Sequence, residues 1–234
     1  MNIVLEIQNI TIAYRNKSII KNSSLTLNEG SLTALLGRNG SGKSTLLNSI
    51  AGFLKPSNGN IFICNTNIYK CTAGTKSKLI SYLDSSQLYL QNIIVKELVA
   101  FGRYPYTNLF AAFSENDKLI TNSSMELCGI NNLAERYFNE LSDGEKQKVL
   151  IARAITQNTP VILMDEPTSH LDFIARKETI KLLKKLCTEK NKTIIFSSHE
   201  PELCMEFANN ILITSNNAVK EANKNEALEI LINS

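Results

Sequence analysis

The sequence predicts an α/β fold: a mostly parallel sheet covered by helices and interrupted by a long helical segment. Three observations carry this. Runs of strand length at residues 32–36, 161–164, 193–197 and 211–214 are almost continuously apolar, as strands buried on both faces are. An amphipathic stretch at 175–186 separates two of them, giving the strand–helix alternation that a parallel sheet requires. From roughly 95 to 157 the pattern is mostly helical, which predicts a helical subdomain inserted into the sheet-forming chain.

In chain order, residues 5–12 and 24–27 alternate in polarity like half-exposed strands, and Asn28-Glu29-Gly30 turns the chain into the run at 32–36. Gly37 to Gly42 is a glycine-rich loop, and residues 44–51 form a helical run that ends at Gly52. Strands are expected at 61–64 and 79–83, after which the character changes near Asp84. Pro105 and Gly129 break the helical stretch. Residues 1–84 and 160–234 are therefore assigned to a core and 85–159 to the inserted helical subdomain, with no internal repeat.

At 234 residues, 43% hydrophobic and 20% charged, the chain can bury a sizeable interior, which excludes disorder. Its 25 Lys+Arg and 22 Asp+Glu leave a net charge of +3 without a basic stripe, so no nucleic-acid partner is expected. The five cysteines (Cys64, Cys71, Cys128, Cys187 and Cys204) are scattered without a C-x-x-C, which predicts reduced thiols rather than a zinc site or a disulfide framework. The N-terminus lacks a cationic leader and reaches Glu6 quickly, unlike a signal peptide. No stretch approaches the ~18 apolar residues of a membrane-spanning helix, so a role at a membrane requires another chain.

Gly37-Arg38-Asn39-Gly40-Ser41-Gly42-Lys43-Ser44 fits G-x-x-x-x-G-K-[ST] and stands between a buried strand and a helix, where the pattern has a mechanism. Glycines let successive N–H groups curl around an anion, and the helix N-terminus adds a favourable partial charge. These residues and the adjoining Thr45 are the expected phosphate site, with Lys43 bridging the β- and γ-phosphates and Ser44 on Mg²⁺. Val161-Ile162-Leu163-Met164-Asp165-Glu166-Pro167 is an apolar strand ending in two carboxylates, delivered to the crevice at the strand ends. Asp165 suits the Mg²⁺ shell and Glu166 a general base orienting water. In isolation the same residues would read as an acidic turn closing a core strand. His199 follows the strand at 193–197 and reaches the same edge, though a lone histidine is commonly an ordinary hydrogen-bonded residue.

Leu141-Ser142-Asp143-Gly144-Glu145-Lys146-Gln147 opens a helix and reads locally as a capping box between Ser142 and Glu145. Taken in order with the phosphate loop, Asp165-Glu166, Ser169-His170-Leu171-Asp172 and His199, it makes the chain resemble the ABC ATPase family over nearly its whole length. The resemblance implies a P-loop ATPase core with an antiparallel N-terminal β subdomain and an inserted helical subdomain. It implies ATP and Mg²⁺ as ligands and hydrolysis involving Lys43, Glu166 and His199. Two copies would pair head to tail, with Ser142 and Gly144 of one gripping the γ-phosphate held by Lys43 of the other. Tyr14 would stack on adenine, and Asp172 would cross the seam of the homodimer.

Two departures from the family pattern stand out. Asp143-Gly144-Glu145 replaces glycine-glycine-glutamine, adding negative charge near an anion site. The family's glutamine at the start of the insert falls near Ser85, with Gln87 two residues late. The stretch Val95-Lys96-Glu97-Leu98-Val99-Ala100-Phe101-Gly102-Arg103-Tyr104-Pro105-Tyr106 is similar to the insert of importers for ferric siderophores, haem or cobalamin. That resemblance implies two membrane permease subunits, an indirect link to a substrate-binding protein, and a place on the cytoplasmic face of the inner membrane. A soluble ABC ATPase in cofactor assembly, or a transporter subunit for another cargo, is the alternative. A nucleotide kinase or GTPase would need an acceptor or base-reading motif in place of residues 141–145, and none is found.

Overall fold

Two sheets organise the computed structural model, which describes residues 2–14, 17–84, 90–107 and 112–233. The first is antiparallel, in the order β2-β1-β4-β5, from β1 (Ile3–Tyr14), β2 (Lys17–Asn28), β4 (Asn58–Ile63) and β5 (Thr66–Asn67). The second has the order β10-β9-β3-β8-β7-β6. Its strands β3 (Leu32–Leu36), β6 (Ile80–Leu83), β7 (Val161–Met164), β8 (Thr193–Ser197) and β9 (Asn210–Ser215) pair in parallel. Only the edge strand β10 (Ala218–Ala222) runs antiparallel, joined to β9 by Asn216 and Asn217, both at positive φ as a two-residue hairpin turn prefers.

Successive residues of the central strands feed opposite apolar clusters. Ile162 and Met164 join one, Val161 and Leu163 the other, and β8 divides the same way between Ile194 and Phe196 on one side and Ile195 on the other. The first cluster continues through α6 (Phe173–Lys190) and into the insert helices α3 (Val95–Ala100), α4 (Glu115–Leu127) and α5 (Asp143–Thr156). The second lies under α1 (Lys43–Ile50) and the antiparallel sheet. Between α3 and α4 a 3₁₀ turn, Phe101–Tyr106, contains Pro105.

That turn carries a buried ion pair: Arg103 Nε lies 2.7 Å from Asp117 Oδ1, with side chains 5% and 7% exposed. Arg103 also donates to Thr156 O at 2.9 Å, at the C-terminal end of α5. Asp117 Oδ2 accepts from Ser114 N and Oγ, so neither charge is left unpaired. No helix of the described residues is long and apolar enough to cross a membrane.

Several elements differ in extent from expectation. β2 is twelve residues long rather than four, because Asn9 and Asn22 take left-handed conformations at register shifts that break the alternation. Leu79 ends helix α2 (Ala73–Leu79) instead of opening the strand, which starts at Ile80. β4 starts at Asn58, three residues before the apolar part, since Asn58 and Asn60 pair with Thr11 and Gln8. α2, α7 (Pro201–Phe207), β10 and α8 (Lys224–Asn233) are additional to the expected elements. The parallel strands β3, β7 and β8 end on one edge of the sheet, and there they deliver Gly37, Asp165 and Ser198.

Candidate nucleotide site

The loop after β3 depends on its glycines. Gly42, the residue before α1, has φ 104°, and a Cβ there would stand 2.7 Å from Ile19 Cγ2. A Cβ on Gly37 would run into the Thr214 hydroxyl. That hydroxyl is occupied: Thr214 Oγ1 donates to Leu36 O at 3.2 Å and stands 2.5 Å from Ser41 Oγ, pinning the loop to the end of β9. No side chain caps α1, the arrangement that leaves first-turn amides available to an anion.

Lys43 is buried inside this curl, donating to Gly37 O at 2.8 Å and Arg38 O at 3.2 Å. Burial holds its ammonium below the usual lysine range, while the charges of Glu166 and Asp165 act to raise it. Arg38, Asn39, Gly40 and Ser44 are exposed, and Ser41 and Thr45 half-buried, so the loop presents an open polar surface.

Opposite the loop, Asp165 N–H extends the ladder by donating to Leu83 O at 2.8 Å. The Asp165 carboxylate is buried and accepts the Ser197 hydroxyl at 2.6 Å. The next residue, Glu166, has φ 48°, a left-handed conformation uncommon outside glycine and asparagine. Its N–H donates to Ser197 Oγ at 2.8 Å, and its Oε1 lies 2.6 Å from His199 Nε2. Lys43, Asp165, Glu166 and His199 thus form one constellation. Ser197 and Thr214 were not foreseen as part of it, yet each is a hydroxyl among the last residues of an apolar strand, which is the signal that could have found them.

An exposed hydroxyl at Ser44 and a buried carboxylate at Asp165 are hard oxygen donors, the set that Mg²⁺ takes together with substrate phosphates. Among the described residues no group of three or more His, Cys, Asp or Glu could hold a metal ion.

Ser142 and Gly144 belong to a second group. Ser142 caps α5 as expected: its N–H and hydroxyl donate to Glu145 Oε2 at 2.9 and 2.8 Å. These bonds, the backbone one foremost, hold the Glu145 carboxyl below its usual range, with Arg136 adding to the effect. A Cβ on Gly144 would lie 3.9 Å from Ala175 Cβ, so the N-termini of α5 and α6 adjoin. Asp172 caps α6 by accepting Ala175 N–H at 2.8 Å, and Phe173 and Ile174 beyond it are 68% and 71% exposed.

Tyr14 is exposed at the end of β1 opposite Lys17, in the hairpin whose Ile19 lies against Gly42. Ser85 and Gln87 fall outside the described residues. In the insert a groove of about 580 Å³ lies between α3 and α4, its lining including the apolar Ala100, Phe101 and Phe113 and the charged Lys96, Glu97 and Lys118.

Residues 20–169 match the ABC transporter family. An achromobactin transport ATP-binding protein of Dickeya dadantii is 36% identical, over 88% of this chain and 77% of its own length. A petrobactin import ATP-binding protein of Bacillus subtilis is 31% identical, over 97% of this chain and 89% of its own. Among solved structures, an ABC transporter in an inward-facing conformation, described as of the metal-chelate type, superposes with a TM-score of 0.87 at 29% identity, covering 99% of this chain and 90% of that one. A dimeric ATP-binding cassette in a post-hydrolysis state with ADP and Pi superposes with a TM-score of 0.80 at 27% identity, covering 94% and 98%.

Proposed function

The chain belongs to the ABC transporter family and is an ATPase, and we propose that it powers import of a chelated metal such as a ferric siderophore, haem or cobalamin. The hydrolysis reading rests on one observation above the rest, the gathering of Lys43, Asp165, Glu166 and His199 at one end of the sheet. ATP lies with its phosphates in the loop at residues 37–45 and its adenine on Tyr14, and Lys43 leaves its two carbonyl partners to bridge the β- and γ-phosphates. Ser44 and Asp165 would hold Mg²⁺, which would offset the charge of those phosphates when bound. Glu166 accepts a proton from the attacking water, and His199, hydrogen-bonded to it, keeps that carboxylate aimed and reaches the γ-phosphate.

Two copies work together, with Ser142 and Gly144 at the start of α5 taking the γ-phosphate of the neighbouring chain. The adjoining Phe173 and Ile174 are large exposed apolar side chains suited to the same seam. The insert groove, lined by both apolar and charged side chains, suits a short amphipathic helix of a membrane permease, two of which complete the transporter. Cargo reaches those permeases from a substrate-binding protein, and this subunit works from the cytoplasmic face of the inner membrane. The metal-chelate assignment draws on the named transport roles of the Dickeya and Bacillus relatives and on the metal-chelate type neighbour.

Solubilising membranes with detergent and capturing the chain tests this. The expected result is recovery of a polytopic membrane protein in a complex whose ATP hydrolysis rises when a binding protein presents one chelate and not the others. An active ATPase recovered without any membrane partner would remove the transport role.

A further inference from the structure

We propose that Ser197 is a positioning residue for hydrolysis, its single hydroxyl setting both the Asp165 carboxylate and the Glu166 backbone; the proposal rests on the ATPase reading above. The hydroxyl donates its one proton to Asp165 Oδ1 at 2.6 Å and accepts Glu166 N–H at 2.8 Å on the same oxygen. Ser197 is fully buried at the end of β8, and Asp165 is buried beside it, so water does not replace either bond.

The two bonds have different consequences. Donation to Oδ1 fixes the carboxylate plane of Asp165 and leaves Oδ2 as the oxygen to turn toward a cation, in the manner of partners that orient metal ligands. Acceptance from Glu166 N–H holds that residue at φ 48°, a conformation that persists in a side-chain-bearing residue only when its surroundings impose it. The Glu166 side chain leaves that turned backbone to meet His199, which stands two residues beyond Ser197 on the same strand end. One hydroxyl thereby ties the two residues after β7 to the end of β8 at the point where the chemistry is done.

The test uses the purified chain with Ser197→Ala, which deletes both bonds, and Ser197→Cys, which keeps the branching with a slightly larger atom that is a weaker donor and acceptor. Three quantities are measured: binding of a fluorescent ATP analogue in EDTA, the Mg²⁺ concentration that half-saturates the change in that signal, and kcat. The expected result for S197A is unchanged binding in EDTA, with kcat lowered and Mg²⁺ half-saturation raised by about 10- to 100-fold, the usual effect of losing such an orienting partner. S197C should fall between S197A and the parental chain, and it decides the matter alone should S197A fail to fold. Parental kcat and parental Mg²⁺ dependence in the variants would overturn the proposal. Loss of EDTA binding in step with kcat would also overturn it, since that is general damage to the phosphate loop. Absence of ATP hydrolysis by the parental chain and its permease complex sinks the ATPase reading instead, so the two failures are distinguishable.

Discussion

Glu166→Gln isolates the chemical step. The substitution keeps the length of the side chain and leaves the backbone N–H on Ser197 Oγ, so the turn at φ 48° survives. A proton acceptor is lost, together with one negative charge. General-base assistance is worth about 10²- to 10⁴-fold, which at ~1.36 kcal/mol per decade is about 2.7–5.4 kcal/mol of barrier. Folding stability should hardly move, because the Glu166 side chain is 30% exposed and its 2.6 Å contact with His199 can persist as a neutral hydrogen bond. ATP binding draws on Lys43 and the amides of α1, neither of which the change touches. Unhydrolysed ATP should then hold two copies together. Phosphate release at saturating ATP gives the rate, and sedimentation velocity with ATP or ADP gives the mass. The expected outcome is turnover lowered by about 100- to 10,000-fold and a dimer formed with ATP but not with ADP. A rate within about tenfold of parental, or a variant that stays monomeric at saturating ATP, would show that another group orients the water.

Three further outcomes are expected. Lys43→Ala should weaken binding of a fluorescent ATP analogue by about 100-fold, the ~3 kcal/mol of a charge-assisted bond to phosphate; normal turnover in this variant refutes the assignment. Glu145→Gln should lower the ATP concentration at which dimers appear by roughly fivefold, about 1 kcal/mol of relieved repulsion and weakened self-bonding, read by light scattering across an ATP titration. An unchanged titration would mean that the Glu145 charge does not matter at the seam. Asp117 is held below the usual carboxylate range, first by the Ser114 hydroxyl and also by Arg103, so its stabilising contribution is complete above the ordinary aspartate pKa and is lost as pH falls through the lower folded value. Asp117→Asn should therefore flatten the acid limb of a urea-unfolding series below about pH 4, and an unchanged limb would assign acid loss to other carboxylates.

How much of this was legible depended on how locally each feature is encoded. β3, β7, β8 and β9 were readable because covering both faces makes every position apolar, whatever the neighbours are. β2 was read as a fragment because Asn22 inverts the alternation inside it, and such a bulge shows itself only beside its partner strand. α2 escaped notice because none of its residues is buried, so it carries no apolar stripe to detect. The phosphate loop, Asp165-Glu166 and the Ser142–Glu145 box are contiguous or closely spaced, and their spacing, read with the strand or helix each adjoins, revealed them. Ser197 and Thr214 act across strands, on Asp165 and Glu166 from β8 and on Leu36 and Ser41 from β9. Nothing in their own segments specifies those partners; strand order does.

Short-range bonds, by contrast, occupy the donors of the resting chain. Without phosphate the buried Lys43 ammonium would lack an acceptor, and an unpaired buried group costs more than an average hydrogen bond returns. Here Lys43 is satisfied by the carbonyls of Gly37 and Arg38, and Ser142 by Glu145. On the proposed assignment, triphosphate would exchange bonds at both places rather than fill vacancies. At Lys43 the exchange is neutral carbonyls for a charged phosphate, a gain, because charge-assisted bonds are roughly twice as strong. At Ser142 it is one anion for another, carboxylate for phosphate, and the gain is correspondingly small. The asymmetry means that a single chain should take up ATP readily on its own loop, while pairing with a second copy is the step closer to balance and hence the one most easily shifted by a membrane partner.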